Sequence, residues 1–224
     1  MAWILNLETA STNCSVSLYQ GDTLVALRED RTPGYSHGEQ LHLFIEEVLG
    51  AAGCDLGQLQ AVAVSKGPGS YTGLRIGVAA AKGLCFALGI PLIAVETLKA
   101  MAAALRVSGG VLIPMLDARR MEVYSAVYDT ELNRLRETKA EVLEPGSFSE
   151  YTDAGEVHLL GNGAEKCQGL LVHPAFKFHT EILPSAREMG PLAYAAFKAG
   201  RFEDLAYFEP FYLKDFIITR KKSS

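Results

Sequence analysis

The 224-residue chain is short of most features that announce a specialised chemistry. Its four cysteines, at 14, 54, 85 and 167, form no Cys-x-x-Cys pair and none of the short spacings that hold zinc, so they read as buried thiols in a reducing compartment. Positive charge is short too: 21 lysines and arginines against 26 acids leave a net charge of −5, which offers no basic footprint for gripping a phosphate backbone unaided. Only the tail, with Lys214, Arg220, Lys221 and Lys222, is basic, and it reads as a solvated terminus. There is no long apolar run. Residues 77–95 are broken by Lys82, Gly83, Gly89 and Pro91, which argues against a membrane span, and the apolar start at residues 3–7 is too short and lacks the basic flank of a signal peptide. The expected location is the cytoplasm.

Histidine is scarce as well. His37 and His42 lie about 140° apart on a helical wheel and cannot share a metal, while His158, His173 and His179 fall singly on or beside strands. Cys14, Ser11 and Ser70 have no histidine and orienting acid at a recognisable motif position that would make any of them a nucleophile. No metal and no cofactor is expected.

What is present is apolar and ordered. With 49% hydrophobic and 21% charged residues the chain can bury one sizeable core or two small ones. Residues 3–7, 15–19 and 23–27 read as a meander of three strands with a tight Gly21-Asp22 turn. Ser36-x-x-Glu39 is a capping-box signature opening a helix that runs to Gly53, with Leu41, Phe44, Ile45, Val48 and Leu49 as its apolar stripe. A strand at 61–65, a helix from about Thr72 to Leu88, a strand at 91–95 and a helix from Thr97 follow, and Ser108-Gly109-Gly110 marks a boundary between residues 1–107 and 108–224.

The pattern then repeats. Strands at 111–115, 122–128 and 135–143 lead to a short helix near 145–151, a strand at 157–160, a helix near 164–171, a strand at 176–179 and a last helix ending at Gly200. Ser185-x-x-Glu188 marks a start for that helix, which Pro191 could move downstream. Glu8 precedes Tyr19 by eleven residues and Asp117 precedes Tyr128 by eleven. Such a duplicated βββαβαβα α/β unit is the layout of the actin-like ATPase and sugar-kinase fold, in two subdomains, where an acid from each first hairpin faces nucleotide phosphates or metal across a cleft.

The most distinctive stretch is Gly67-Pro68-Gly69-Ser70-Tyr71-Thr72-Gly73-Leu74-Arg75-Ile76-Gly77. A strand entering a glycine turn and then a helix suggests a phosphate cradle, and Gly67-x-Gly69-x-x-x-Gly73 with Glu96 downstream loosely resembles a dinucleotide fingerprint. The fingerprint belongs to the first strand of a βαβ unit, however, and here a meander and a helix come first. There is no P-loop lysine. Glu8 and Asp117 are open to two readings, a carboxylate pair reaching one Mg²⁺ or water with Ser11, Thr12 and Arg119 nearby, or turn-capping acids. The helix behind the turn is apolar nearly all round, with Arg75 and Lys82 as its charged stripe, and needs a cover on the side away from the sheet: either the first helix alone or a partner chain. The reading adopted is the partner, with Leu41, Phe44, Ile45, Val48, Tyr71, Leu74, Arg75, Gly77, Val78, Ala81 and Lys82 as its interface, and the interior glycines Gly77 and Gly83 as points where another helix backbone comes close.

Ile4-Leu5-Asn6-Leu7-Glu8-Thr9-Ala10-Ser11-Thr12 with Cys14-Ser15-Val16-Ser17-Leu18, the glycine turn, Leu116-Asp117-Ala118-Arg119-Arg120-Met121-Glu122-Val123-Tyr124 and Glu209-Pro210-Phe211-Tyr212-Leu213 together resemble the bacterial TsaB (YeaZ) family over essentially the whole chain. The resemblance implies an actin-like fold and a place in the biosynthesis of N6-threonylcarbamoyladenosine in tRNA. It implies a non-catalytic paralogue of the transferase TsaD, without that enzyme's metal-binding histidine pair, which dimerises with TsaD or with itself through N-terminal helices and is joined by the ATPase TsaE, tRNA being met mainly through the complex. Glu8 departs from the aspartate of many relatives. The competing expectation is a stand-alone ATPase or carbohydrate kinase using Glu8 and Asp117, and a third is a zinc peptidase.

Overall fold

The computed structural model describes residues 1–32 and 37–213. Ser36, expected to cap the first helix, and the basic positions 214–222 lie outside the described residues.

Two apolar strands set the frame. β1 (Trp3–Glu8) and β4 (Ala61–Gly67) are buried on both faces and pair in parallel, with Ile4 opposite Ala61 and Leu7 opposite Val64. Around them lie β2 (Cys14–Gln20), β3 (Thr23–Asp30) and β5 (Leu92–Glu96), in the sheet order β3-β2-β1-β4-β5. The two-residue turn at Gly21-Asp22 joins β2 to β3, with Gly21 in left-handed backbone (φ 66°). The second half repeats the plan with β6 (Val111–Asp117), β7 (Glu122–Tyr128), β8 (Arg134–Val142), β9 (Val157–Leu160) and β10 (Phe176–His179), ordered β10-β9-β6-β7-β8. Read from the other edge, that is the same order with the same parallel and antiparallel pairings, so the duplicated actin-like α/β layout is present.

The helices are α1 (His37–Ala52), α2 (Tyr71–Leu88), α3 (Thr97–Ala103), α4 (Asn162–Glu165) and α5 (Ala186–Lys198). α2 is closed at both ends by its own sequence: the Ser70 side chain accepts from the Gly73 N–H, and Gly89 at φ 66° donates to the Cys85 carbonyl. Two expected helices in the second half are smaller. Residues 145–151 give way to a 3-10 turn at Ser149–Ala154, and the 164–171 helix shrinks to the single turn α4 followed by turns. Gly146 in the first segment and Gly169 in the second weaken helix propagation, and segments that short gain too little from it to hold a longer helix.

Alternation along the strands sorts the first sheet into two cores. Leu5, Leu7, Val16, Leu18, Val62 and Val64 face α1 and α2, whereas Ile4, Ala61, Ala63, Ile93 and Val95 face α5, where Ala186, Met189, Ala193 and Ala196 close the layer. α3 lies between the halves, burying Leu98, Met101 and Ala102 against Leu112, Leu116, Ala126, Tyr128 and Leu160. The last helix of the second half therefore returns to the first sheet. After it the chain runs over the same subdomain: Glu203 donates to the Leu92 carbonyl at the free edge of β5, and Leu205 and Phe208 pack on the first core.

The start of α5 shows why Pro191 did not displace it. Ser185 caps the helix by accepting from Arg187 N–H. Pro191 has no N–H to give to the carbonyl four residues back, and that carbonyl, on Arg187, instead accepts from the Tyr19 hydroxyl at 2.5 Å. Gly190 makes the room, since a Cβ there would stand 2.3 Å from the Tyr19 ring. Replacing Tyr19 with Phe leaves the Arg187 carbonyl unpaired beside a buried ring, so the variant should lose about 1–3 kcal/mol of unfolding free energy, readable as a lower midpoint in urea with an unchanged slope.

Candidate partner face and degenerate cleft

The glycine turn receives the end of β1. Ser70 N–H donates to the Ala10 carbonyl at 2.7 Å, and Thr9 Oγ1 donates to the Gly73 carbonyl at 2.8 Å. A Cβ at Gly69 would lie 2.4 Å from the Ala10 oxygen, at Gly73 2.0 Å from the Thr9 oxygen, and at Gly77 2.3 Å from Thr9 Oγ1. The close approach expected of a foreign helix at Gly77 is thus made inside the chain, by residues 9 and 10. The amides of Ser70, Gly73 and Leu74 are likewise bonded internally, to Ala10, to the Ser70 side chain and to the Ser70 carbonyl, which leaves those groups no part in a phosphate cradle. Gly67 serves a different contact: its amide donates to Thr97 Oγ1, and the Phe211 carbonyl sits 2.8 Å from where a Cβ would be. Glu96, the acid suggested for a ribose, is engaged by Lys66 and Arg134; burial pushes its carboxyl up, but the two cations hold it below the ordinary carboxylate value.

The expected interface residues divide in two. Leu41, Ile45, Val48, Leu74, Gly77, Val78 and Ala81 are buried in this chain's own core and do not reach its surface. Phe44 is half-buried against the same core. Tyr71 and Arg75 lie on a flank of α2 where Arg75 stacks over the Tyr71 ring and bonds its hydroxyl, and Tyr212 packs on Tyr71 with ring centroids 4.9 Å apart. Lys82 is held by the chain's C-terminal segment, donating to the carbonyls of Ala206 and Phe208 at 3.2 Å. Cover for α2 thus comes from three sides of the same chain: the sheet, α1 and residues 205–212.

What remains open is a shallow groove of about 490 Å³ lined by His42, Ile76, Ala79, Ala80, Gly83 and Leu84. Phe86, 82% exposed, and Leu43, 51% exposed, stand on the same two helices. Nothing lies within 4 Å of the place a Cβ would take on Gly83. Sequence reasoning gives the outward side of α2 to a partner but names mostly residues that the core buries, because α2 has no polar side to mark the outside and Gly77 and Gly83 are both interior helix glycines with no turn to explain them.

Glu8 and Asp117, expected to share a cleft, both end their first strands, yet among the described residues no group that bonds one bonds the other. Glu8 is wholly buried on the α5 face of β1. Its Oε1 accepts from Ala10 N–H at 2.6 Å and Ser65 Oγ at 2.8 Å, its Oε2 has no hydrogen-bond partner among the described residues, and burial pushes the carboxyl up to about 7 against the pull of those bonds. Ser11 is turned inward, its hydroxyl accepting from Asn13 N–H and its carbonyl from His37 Nε2 at 2.7 Å, while Thr12 is exposed. Asp117 is exposed and bonded to Lys166, with Oδ1 also accepting from Arg119 N–H at 2.6 Å. Arg119 itself is exposed in left-handed backbone (φ 72°). All four cysteines are buried; burial pushes the thiols of Cys14 and Cys85 up to about 11 and that of Cys167 to about 12. Among the described residues no three His, Cys, Asp or Glu side chains converge as a metal-holding group, and no helix is long and apolar enough to cross a membrane.

Comparison with known proteins decides the lineage. Over residues 34–167 the chain matches the family of TsaD, tRNA N6-adenosine threonylcarbamoyltransferase. It is 32% identical to the tRNA threonylcarbamoyladenosine biosynthesis protein TsaB of Escherichia coli over 97% of both chains. This chain belongs to the TsaB family. A second TsaB, from Bacillus subtilis, is 36% identical over 56% of this chain and 54% of its own. Of solved structures, a Pseudomonas aeruginosa protein described as similar to the peptidase YeaZ superposes with a TM-score of 0.86 at 26% identity, covering 96% of this chain and all of the other, and YeaZ from the same organism does so at 0.81 and 27%, covering 95% and 100%. In this member of the TsaB family the four glycines of the turn serve the fold.

Two predictions follow from that geometry. Gly77→Leu should lower stability by about 1–3 kcal/mol or prevent folding, while Gly83→Leu, on the open side of the same helix, should leave the denaturation midpoint unchanged or raise it. For Glu8, the folded carboxyl keeps its proton to about pH 7, whereas the unfolded one loses it near 4.5, so the folded state binds more protons in between. Its contribution is full below pH 4.5 and lost as pH rises through about 7. Glu8→Gln should remove that fall, which denaturation midpoints measured from pH 4.5 to 8 would reveal.

Proposed function

We propose that this chain is a non-catalytic subunit of the machinery that makes tRNA threonylcarbamoyladenosine, and that it docks a TsaD-type transferase on the open face of α1 and α2. Membership of the TsaB family carries the pathway, since the curated relatives are named for that biosynthesis. The face carries the docking. The apolar groove beside Gly83, on helices that also expose Phe86 and Leu43, is suited to receiving the side chains of another helix pair. Because the transferase family itself matches residues 34–167, which include α1 and α2, a transferase of that family is expected to offer a face of the same shape. Two like helix pairs can then meet about a pseudo-two-fold axis, and a second copy of this chain could use the same surface in the transferase's absence.

The non-catalytic assignment rests on the cleft. Glu8 is sealed from solvent and tuned to stay largely protonated below neutrality, and Asp117 is already paired with Lys166. A fold that needs two ionised acids to hold Mg²⁺ and phosphate has neither free here. In this reading tRNA and the TsaE ATPase are met through the heterodimer, in the cytoplasm.

Gly83→Arg places a long charged side chain in the groove at a position that tolerates a Cβ. Co-expressed with a TsaD homologue, the folded variant should lose co-elution on size-exclusion chromatography and with it tRNA modification by the reconstituted system. Undiminished co-elution would show that the face is wrongly assigned.

A further inference from the structure

The ammonium of Lys166 occupies a cage made only of oxygens. It donates to Asp117 Oδ1, to the Arg120 carbonyl at 2.5 Å and to the Glu122 carbonyl at 3.2 Å, which uses all three of its N–H groups. The cage is built from both sides. The β6–β7 turn, closed by Ala118 N–H on the Glu122 carbonyl and Glu122 N–H on the Arg119 carbonyl, passes through left-handed backbone at Arg119 and Arg120. α4 is pressed onto the end of β6, since a Cβ at Gly163 would lie 2.8 Å from that of Met115, and its Asn162 side chain accepts from Asp117 N–H at 3.0 Å. Lys166 follows α4 directly and is delivered to the turn, its side chain only 19% exposed.

One carboxylate oxygen and two carbonyl oxygens around a single positive charge are the ligand chemistry of a hard cation. We propose that Lys166 is a built-in counter-ion that takes the place of a divalent metal at the second acid of the cleft, and that removing its ammonium opens a cation site on Asp117 and the carbonyls of Arg120 and Glu122. The inference deepens the non-catalytic reading and rests on it. It assigns to one residue the closing of this half to metal. A tethered ammonium competes at an effective concentration in the millimolar range or above, so an outside ion relying on one carboxylate is displaced. The exposed Arg119 and Arg120 side chains, on the same turn, add to the positive charge an incoming ion would meet.

The test titrates the full chain with Mn²⁺ and follows the loss of the free-ion electron paramagnetic resonance signal. Lys166→Met should gain one site with a dissociation constant of about 0.1–1 mM, at least tenfold tighter than any in the unaltered protein. Lys166→Gln should gain it too. Lys166→Arg, which keeps the charge, should not, and adding Asp117→Asn to Lys166→Met should abolish it. The proposal is overturned if Lys166→Met and Lys166→Gln, each with the circular dichroism of the unaltered chain, bind Mn²⁺ no more tightly than it does, or if the unaltered chain already binds Mn²⁺ through Asp117. A failure of the non-catalytic reading would show separately, as Mg²⁺-ATP turnover by the unaltered protein.

Discussion

The fold of the first half depends on one close contact, between the end of β1 and the start of α2. Thr9 and Ala10 lie against three glycines spaced four residues apart, and the hydrogen bonds from Ser70 N–H and from Thr9 Oγ1 cross in opposite directions between the two segments. Any side chain on that face of the turn would hold the helix away from the strand. With the helix drawn in, Val78, Ala81 and Cys85 reach the core under the sheet, and the side of α2 bearing Ala79 and Gly83 is left facing out. The same segment fixes Glu8, whose carboxylate is gripped by the Ala10 amide one residue beyond Thr9. A structural requirement at the glycine turn thereby sets both the shape of the open groove and the sealing of the first acid.

The two cleft acids illustrate two ways of removing a charge without removing the residue. Glu8 sits in a dry layer between β1 and α5 with one oxygen unpaired, and the cheaper state there is the protonated one. Asp117 is open to solvent, and Lys166 supplies a compensating charge beside it. The means differ because the surroundings differ: α5 from the second half covers the first strand tip, while the short α4 with Asn162 and Lys166 closes on the second and leaves Asp117 exposed.

Much of this was legible in the residues and some was not, for identifiable reasons. The strands, the Gly21-Asp22 turn and the ends of α2 at Ser70 and Gly89 follow from local rules, because alternation, left-handed glycine and side-chain capping act within a few residues. The repeated order of elements likewise pointed to the duplicated sheet. The outward side of α2 was not readable, since a helix apolar all round carries no polar stripe and its covers, α1 and the segment around Phe208, come from distant parts of the chain. Gly77 and Gly83 look alike in sequence; only the position of Thr9, 68 residues before Gly77, separates a packing glycine from an open one. Lys166 left no signal at all, because an ammonium held partly by carbonyls has no motif.

The return of α5 to the first sheet has a further consequence for how the halves are coupled. A boundary near residue 107 divides the sheets, but Ser15, Ser17 and Tyr19 of β2 each bond the first turn of α5: Ser15 Oγ accepts from Ala186 N–H, Ser17 Oγ donates to the Ala186 carbonyl, and Tyr19 donates to that of Arg187. These bonds join residues about 170 apart, and they lie on the face of the sheet opposite the groove. The C-terminal segment then crosses back to α2 at Lys82 and to the end of β4 at Lys66 and Gly67. The first subdomain is thus clasped on both faces by later parts of the chain, α5 on one and residues 205–212 on the other.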